Sequence, residues 1–263
     1  MPASPFAVES KNHLITTWAG LVRDRGGQIS VDDGVSRIWA DSTFGFWNAV
    51  TLNGTDIAAD ALGDQLSRAA SFMSGRSRAG YLWVFEELLS PQARQDLLAL
   101  ADKSGLELAF SGRGMAGDVP VPEPHHPELE FRRVATDDDL AAYGHLNALA
   151  YGMSPEAGRA ALAGSALWRR EAYAFIALRD GVPVSCAATI GTDDALFLAL
   201  VATDPAQTRR GYGAAVTRKA IHEGFAQTGK SRVVLHATQA GQPVYERMGY
   251  RPNTPIHFFQ LAI

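Results

Sequence analysis

The residues with the clearest chemical potential lie between Leu200 and Ala214. The stretch Leu200-Val201-Ala202-Thr203-Asp204-Pro205-Ala206-Gln207-Thr208-Arg209-Arg210-Gly211-Tyr212-Gly213-Ala214 reads as an apolar strand, a proline-marked turn, two arginines, two closely spaced glycines and the start of a helix. Glycine lets the backbone turn sharply and come close to a ligand. A helix start offers unpaired N–H groups and the positive end of the helix dipole, which favour phosphate. Arg209 and Arg210 add charge beside it. The chemistry this arrangement suits is the grip of a pyrophosphate.

Two other phosphate-loop patterns fail on context. A dinucleotide fingerprint needs a third glycine, whereas Gly211-Tyr212-Gly213-Ala214-Ala215-Val216 ends in valine. The pattern G-x-x-x-x-G-K-[ST] occurs verbatim at Gly224-Phe225-Ala226-Gln227-Thr228-Gly229-Lys230-Ser231. That loop belongs between a strand and a following helix. Here it ends a helix and leads into the strand Val233-Val234-Leu235, with Gly224 expected inside the helix and Gly229 as its stop.

The third reading is a family resemblance. Val201 to Pro205 followed by Arg209-Arg210-Gly211-Tyr212-Gly213 resembles motif A of the GNAT (GCN5-related) N-acetyltransferases, whose coenzyme A loop reads Q/R-x-x-G-x-G/A. One position departs: Thr208 stands where the family has Gln or Arg, with Gln207 beside it. This removes a side-chain contact and leaves the backbone donors. Leu235-His236-Ala237-Thr238-Gln239-Ala240-Gly241-Gln242-Pro243-Val244-Tyr245-Glu246-Arg247-Met248-Gly249-Tyr250 resembles motif B, closing on Y-E-x-x-G-[FY]. The resemblance covers the last half of the chain. It implies acetyl-CoA as co-substrate and no metal. The residues it points to for coenzyme binding are Val201, Ala202, Thr203, Thr208, Arg209, Arg210, Gly211, Tyr212, Gly213, Ala214 and Thr238.

The resemblance also implies a mechanism: direct attack of a substrate amine on the thioester, with no acyl-enzyme. That requires alignment of two substrates. It requires a backbone N–H, on the strand ending at Thr203, for the thioester oxygen. The amine must lose a proton and the departing thiolate must gain one. A phenol titrates near ~10 and a thiol near ~8.5, so Tyr245 stays protonated and is the candidate acid. His236 is a candidate base, set against a packed core histidine. His222 is a poorer one, and relay by water needs none. Tyr151, Met153, Trp168 and Tyr173 are candidates to shape the acceptor pocket, with ordinary packing as the alternative.

The elements that must position these groups can be read from punctuation. Residues 117–127 carry four prolines and no apolar periodicity, an extended semi-rigid linker. Its paired His125 and His126 are expected to be solvated rather than metal ligands. The expected division is a smaller α/β domain over residues 1–118, a linker over 119–127 and a GNAT domain over 128–263. Beyond the linker come a strand (129–134), a helix capped by Thr136 and led by three aspartates, a helix from Ser154-Pro155 to about Trp168, three strands, and then helix, strand, helix, strand. Arg179-Asp180-Gly181 is a hairpin turn. The expected fold is α/β (α+β), a mixed central sheet flanked by helices. Before the linker, helices are expected over 6–25, 56–74 and 91–104, and strands over 36–40, 46–52, 81–85 and 106–110. The run from Tyr81 to Met115 looks like the opening half of a second, degenerate GNAT-like unit. It lacks the glycine loop, so no second coenzyme site is expected.

Composition sets the remaining bounds. The chain has 263 residues, 46% apolar and 20% charged, with formal net charge −4. That is the profile of a soluble globular protein, and it disfavours nucleic acid as a partner. The single cysteine, Cys186, excludes an intrachain disulfide and reads as a core residue. No leader is recognised in Met1-Pro2-Ala3-Ser4-Pro5-Phe6, and no apolar run is long enough to span a membrane, so a cytoplasmic monomer or homodimer is expected. The functional expectation is an acyltransferase moving acetyl from acetyl-CoA to a small or amino-acid-like amine. The alternatives are a non-catalytic acetyl-CoA sensor and a protein or peptide N-acetyltransferase.

Overall fold

The computed structural model describes residues 4–32 and 34–262; the Met1–Ala3 opening used for the leader expectation lies outside them. The chain forms two compact units. The first begins with α1 (Pro5–Asp24), β1 (Gln28–Asp32), β2 (Val35–Trp39), β3 (Asn48–Leu52), α2 (Ala59–Ser74), β4 (Tyr81–Phe85), α3 (Pro91–Lys103) and β5 (Leu106–Gly117). Pro5 and Pro91 sit in the first turns of their helices, where a missing N–H costs nothing. The Ser90 hydroxyl accepts the Ala93 N–H to cap α3. One face of α2 buries Leu62, Leu66, Ala69, Ala70 and Met73, at helical spacing, in a core with Val50, Leu82, Val84 and Leu97. β1 was not anticipated: it is short, only Ile29 and Val31 are apolar, and its residues are largely exposed.

The second unit contains β6 (Glu130–Arg133), α4 (Asp137–Ala150), α5 (Pro155–Leu162), α6 (Ala166–Arg170), β7 (Tyr173–Arg179), β8 (Val182–Gly191), β9 (Leu196–Thr203), α7 (Tyr212–Thr228), the opening of β10 (Val233–Thr238) as far as Leu235, and α8 (Gln242–Arg247) from Pro243. A capping box between Thr136 and Asp139 starts α4. The single helix expected over 154–168 is broken in two at Gly164, whose φ is +70°. The strand order is β10-β9-β8-β7-β6, with β9 and β10 parallel and the other neighbours antiparallel. This is the mixed sheet with flanking helices that the sequence implied. Asp180 and Gly181, at φ +52° and +78°, make the β7–β8 hairpin turn.

Side chains alternate across a strand, and β8 uses both faces. Cys186 meets Asn147 of α4, while Thr189 donates to the Ala220 carbonyl of α7. Gly224 lies inside α7 because a Cβ there would stand 2.6 Å from Leu196 Cδ1 and 2.7 Å from Thr189 Oγ1. Gly229, at φ +69°, ends the helix. The verbatim G-x-x-x-x-G-K-S run is therefore a packing glycine and a helix stop.

The first unit ends at Met115 and recovers His236–Gln242 and the chain from Pro252. The last strand, β11 (Arg251–Leu261), lies between β4 and β5. The proline-rich segment belongs to the second unit and is fastened along α7. The Val121 carbonyl accepts from His222 Nδ1 at 3.0 Å, and Lys219 Nζ reaches Glu123 at 3.1 Å. Neither partner was visible in composition. Among the described residues, no helix is long and apolar enough to cross a membrane.

Candidate functional site

The site is built in the second unit from the end of β9, the turn after it and the start of α7. β9 does not run straight. Its register with β8 passes from Ala188↔Ala199 to Cys186↔Ala202, so β9 spends one extra residue, and Leu200 takes φ +49°. This is a β-bulge. Two tyrosines of the α4 region hold it: Tyr143 Oη donates to the Leu200 carbonyl at 2.9 Å, and Tyr151 Oη to the Val201 carbonyl at 3.4 Å. A trans peptide points its C=O and N–H in opposite directions. The Tyr143 bond therefore turns the Val201 N–H away from that tyrosine, while the Ala202 N–H is taken by the Cys186 sulfur. The register of β9 with β10 covers Leu196–Leu198, below the bulge.

Past Thr203 the chain turns tightly. Asp204 accepts the Ala206 N–H, and Thr208 Oγ1 donates to the Pro205 carbonyl at 3.3 Å. Arg209 (φ +63°) and Gly211 (φ +84°) both adopt left-handed backbone. Alternation of that kind gathers successive N–H groups into an anion-binding concavity. Arg209, Arg210 and Gly211 are exposed, and the first turn of α7 contains no acid. Gly213 has a different reason: a Cβ there would stand 2.9 Å from Thr203 Oγ1. Thr203 is tied to Ser185 Oγ at 2.8 Å, and Ser185 donates to the Ala202 carbonyl at 2.7 Å. Helix start and strand end are thus held close. Ala214 follows in the first turn. Tyr212 points inward, 1% exposed, with its hydroxyl on Glu128 at 2.9 Å.

Tyr245 comes from α8 and is 8% exposed. Burial, then the neighbouring Tyr151, pushes its phenol well above the ordinary range. Burial, then Cys186, pushes Tyr151 up to about 12. The three phenols Tyr143, Tyr151 and Tyr245 are close enough to act on one another electrostatically. All three are therefore donors at neutral pH. Tyr143 was not singled out in the sequence, because nothing in its own neighbourhood reveals a partner on a strand far along the chain.

The remaining candidates have other surroundings. His236 belongs to the first unit, 2.8 Å from Ser10 Oγ and between the rings of Trp83 and Phe85. Burial pushes its imidazole down to about 3, a weak base held as a packed histidine. Thr238, also of the first unit, is exposed and accepts the Gly241 N–H. Trp168 is wholly buried edge-on to Tyr143, a core residue rather than a pocket wall. Cys186 is buried, accepts from Asn147, and has its thiol pushed up by burial, which suits packing and not nucleophilic chemistry.

Residues 140–250 match the profile of the Acetyltransferase (GNAT) family. Among solved structures, the chain resembles a GCN5-related N-acetyltransferase from Kribbella flavida, at 19% identity and TM-score 0.69 over 95% of each chain. It resembles a GCN5-related N-acetyltransferase from Sphaerobacter thermophilus, at 13% identity and TM-score 0.60 over 99% of this chain and 94% of that one. A functionally unknown conserved protein from Staphylococcus epidermidis aligns at 10% identity and TM-score 0.63 over 90% of this chain and 94% of that one. No curated protein matches the chain at significance. At these identities the structural likeness speaks for the fold.

Proposed function

We propose that the chain, whose residues 140–250 match the GNAT acetyltransferase family, transfers acetyl from acetyl-CoA to a primary amine of a small or amino-acid-like acceptor. The observation that carries this reading is the loop at 208–214. It combines two left-handed residues, two exposed arginines and an acid-free helix start, a set that fits a pyrophosphate. Arg209, Arg210 and the N–H groups of Gly211, Gly213 and Ala214 would hold the diphosphate. The edge of β9 from Val201 to Thr203 would align the pantetheine arm. When bound, acetyl-CoA supplies the activated thioester.

The chain's own residues then have defined tasks. The Val201 N–H, turned by the tyrosine-held bulge, is the donor for a developing oxyanion. Tyr245 holds a proton at Oη for the departing sulfur. With His236 held as a weak base in the first unit, the amine's proton leaves through water. The first unit repeats the strand plan of the second, and we read it as a degenerate GNAT-like unit without a coenzyme site.

The test is calorimetry with acetyl-CoA on wild type and Gly211→Glu, followed by an amine screen with Tyr245→Phe as control. Micromolar-range binding lost in Gly211→Glu supports the reading. Loss of turnover in Tyr245→Phe by about 10²-fold or more, with coenzyme binding kept, supports its acid role. Wild type that does not bind acetyl-CoA would remove the enzyme reading. Binding without turnover across the screen would leave the sensor alternative standing in its place.

A further inference from the structure

The proline-rich segment ends at the phosphate loop. After Val121 and Glu123 engage α7, His126 lies against the first turn of that helix. Its ring meets Tyr212 edge-on, with centroids 5.2 Å apart and planes at 78°. Its Nδ1 accepts the Glu128 N–H at 3.3 Å, which leaves the proton on Nε2. Nε2 is 3.3 Å from the Arg210 carbonyl and therefore donates to it. Two residues on, Glu128 takes the Tyr212 hydroxyl, and Arg179 approaches the same carboxylate at 3.7 Å. The left-handed Gly211 is covered on one side by the same imidazole, since a Cβ there would lie 3.8 Å from Nε2.

The geometry follows from the peptide plane. The Arg210 carbonyl and the Gly211 N–H share one trans peptide and point in opposite directions. Once the carbonyl is drawn to His126, the Gly211 N–H faces away from it, on the open side of the loop. The 210–211 peptide joins the exposed Arg210 to the left-handed Gly211, and without that bond it is free to rotate. A carbonyl turned into the concavity would repel a diphosphate.

We propose that His126 is a positioning residue for the coenzyme loop, holding the Arg210–Gly211 peptide so that its N–H is presented to the diphosphate. This rests on the acetyl-CoA reading of the site. His126 does not touch the reacting atoms; it acts through the backbone of the loop. The segment that composition marks as a linker thereby becomes part of the binding machinery.

The test uses the full chain and acetyl-CoA calorimetry. His126→Phe keeps a ring against Tyr212 and removes the donor. His126→Gln restores an N–H donor on a side chain of different shape. The expected result is a dissociation constant raised about tenfold in His126→Phe, the scale of one lost hydrogen bond, and recovery to within about threefold of wild type in His126→Gln. Faster hydrogen exchange of the Gly211 amide in free His126→Phe, at an unchanged unfolding midpoint, would accompany it. Unchanged affinity in His126→Phe overturns the proposal. Equal weakening in both variants overturns it too, because shape and not the donor would then matter. If His126→Phe does not fold, His126→Ala takes its place under the same criteria. Wild type that fails to bind acetyl-CoA would sink the coenzyme reading itself, a result distinct from either.

Discussion

Adding one methyl group at Gly213 should weaken coenzyme binding without touching any charge. The backbone at Gly213 is ordinary helix, so conformational strain is not the cause. The cause is proximity: the new Cβ would stand 2.9 Å from Thr203 Oγ1, about half an ångström inside the ordinary contact distance of 3.4 Å. Thr203 cannot move freely, because its hydroxyl is bonded to Ser185 and Ser185 to the Ala202 carbonyl. Either α7 lifts from the strand end or that chain of bonds breaks. Overpacking of this kind costs about 1–3 kcal/mol, and a broken hydrogen bond about 1 kcal/mol. If about 1–2 kcal/mol of this reaches the loop, acetyl-CoA affinity in Gly213→Ala falls about 5- to 30-fold. The assay is a double-mutant cycle by calorimetry with Thr203→Ala, which removes the offending oxygen. The alanine at 213 should then cost at least about 1 kcal/mol less than in the wild-type background. Affinity in Gly213→Ala within about threefold of wild type, or strictly additive penalties, would refute the claim that close approach to Thr203 is why glycine stands there.

Two further outcomes follow from the same geometry. Tyr143→Phe leaves the buried Leu200 carbonyl without its 2.9 Å donor, so stability should fall by about 1–3 kcal/mol. Turnover should fall more than acetyl-CoA affinity, because the bulge orients the oxyanion donor; chemical unfolding and a comparison of kcat with Kd check both, and unchanged kcat would break the link between bulge and chemistry. His236 titrates at 6.5 in the ordinary case and is pushed down to about 3 by burial. The unfolded chain therefore binds the proton first, and the stability this residue contributes is present above about 6.5 and lost as pH falls through that window, at up to about 1.4 kcal/mol per pH unit. Urea unfolding of wild type and His236→Asn at about pH 7.5 and about pH 5 reads the difference; equal losses in the two proteins would mean His236 contributes none of the slope.

What could be read from the amino-acid string was whatever a residue type forces locally. Gly211 had to be left-handed or a close-approach residue, and it is left-handed. Thr136 with Asp139, Ser90 with Pro91 and Ser154 with Pro155 announced their helices, because capping is short-range chemistry. Gly164 was hidden, since a glycine inside an apolar pattern reads equally as helix interior. The bulge was hidden too: Leu200 is an ordinary strand residue by type, and only a register slip against β8 forces its positive φ. The partners of the segment at 117–127 were hidden because proline content reports local stiffness and says nothing of what a stiff segment lies against. Its partners, Lys219, His222 and Tyr212, are about a hundred residues away. His236 was legible as either a base or a packed histidine, and the sequence could not choose between them because burial is a property of the assembled unit.

The two units follow one plan and yet differ where a ligand would sit, which allows a count to be predicted. In the second unit, two antiparallel pairings lead through a helix to a parallel strand, β7-β8-β9-α7-β10; in the first, β1-β2-β3-α2-β4 does the same. The turn into α7 carries Arg209 and Arg210. The turn into α2 carries Asp56, and Asp60 in the first turn of α2 already accepts the Ala61 N–H. A carboxylate at that end satisfies the dipole that a phosphate would otherwise use. A further like charge placed a few ångströms away costs about 1 kcal/mol or more even in water-like surroundings. Fold alone thus supplies a helix start in both units, and side-chain charge decides which start accepts a diphosphate. Calorimetry should return one acetyl-CoA per chain, abolished by Gly211→Glu. A second site surviving that substitution would mean that the acidic turn of the first unit does not exclude the coenzyme, and that backbone geometry outweighs charge in this pair of units.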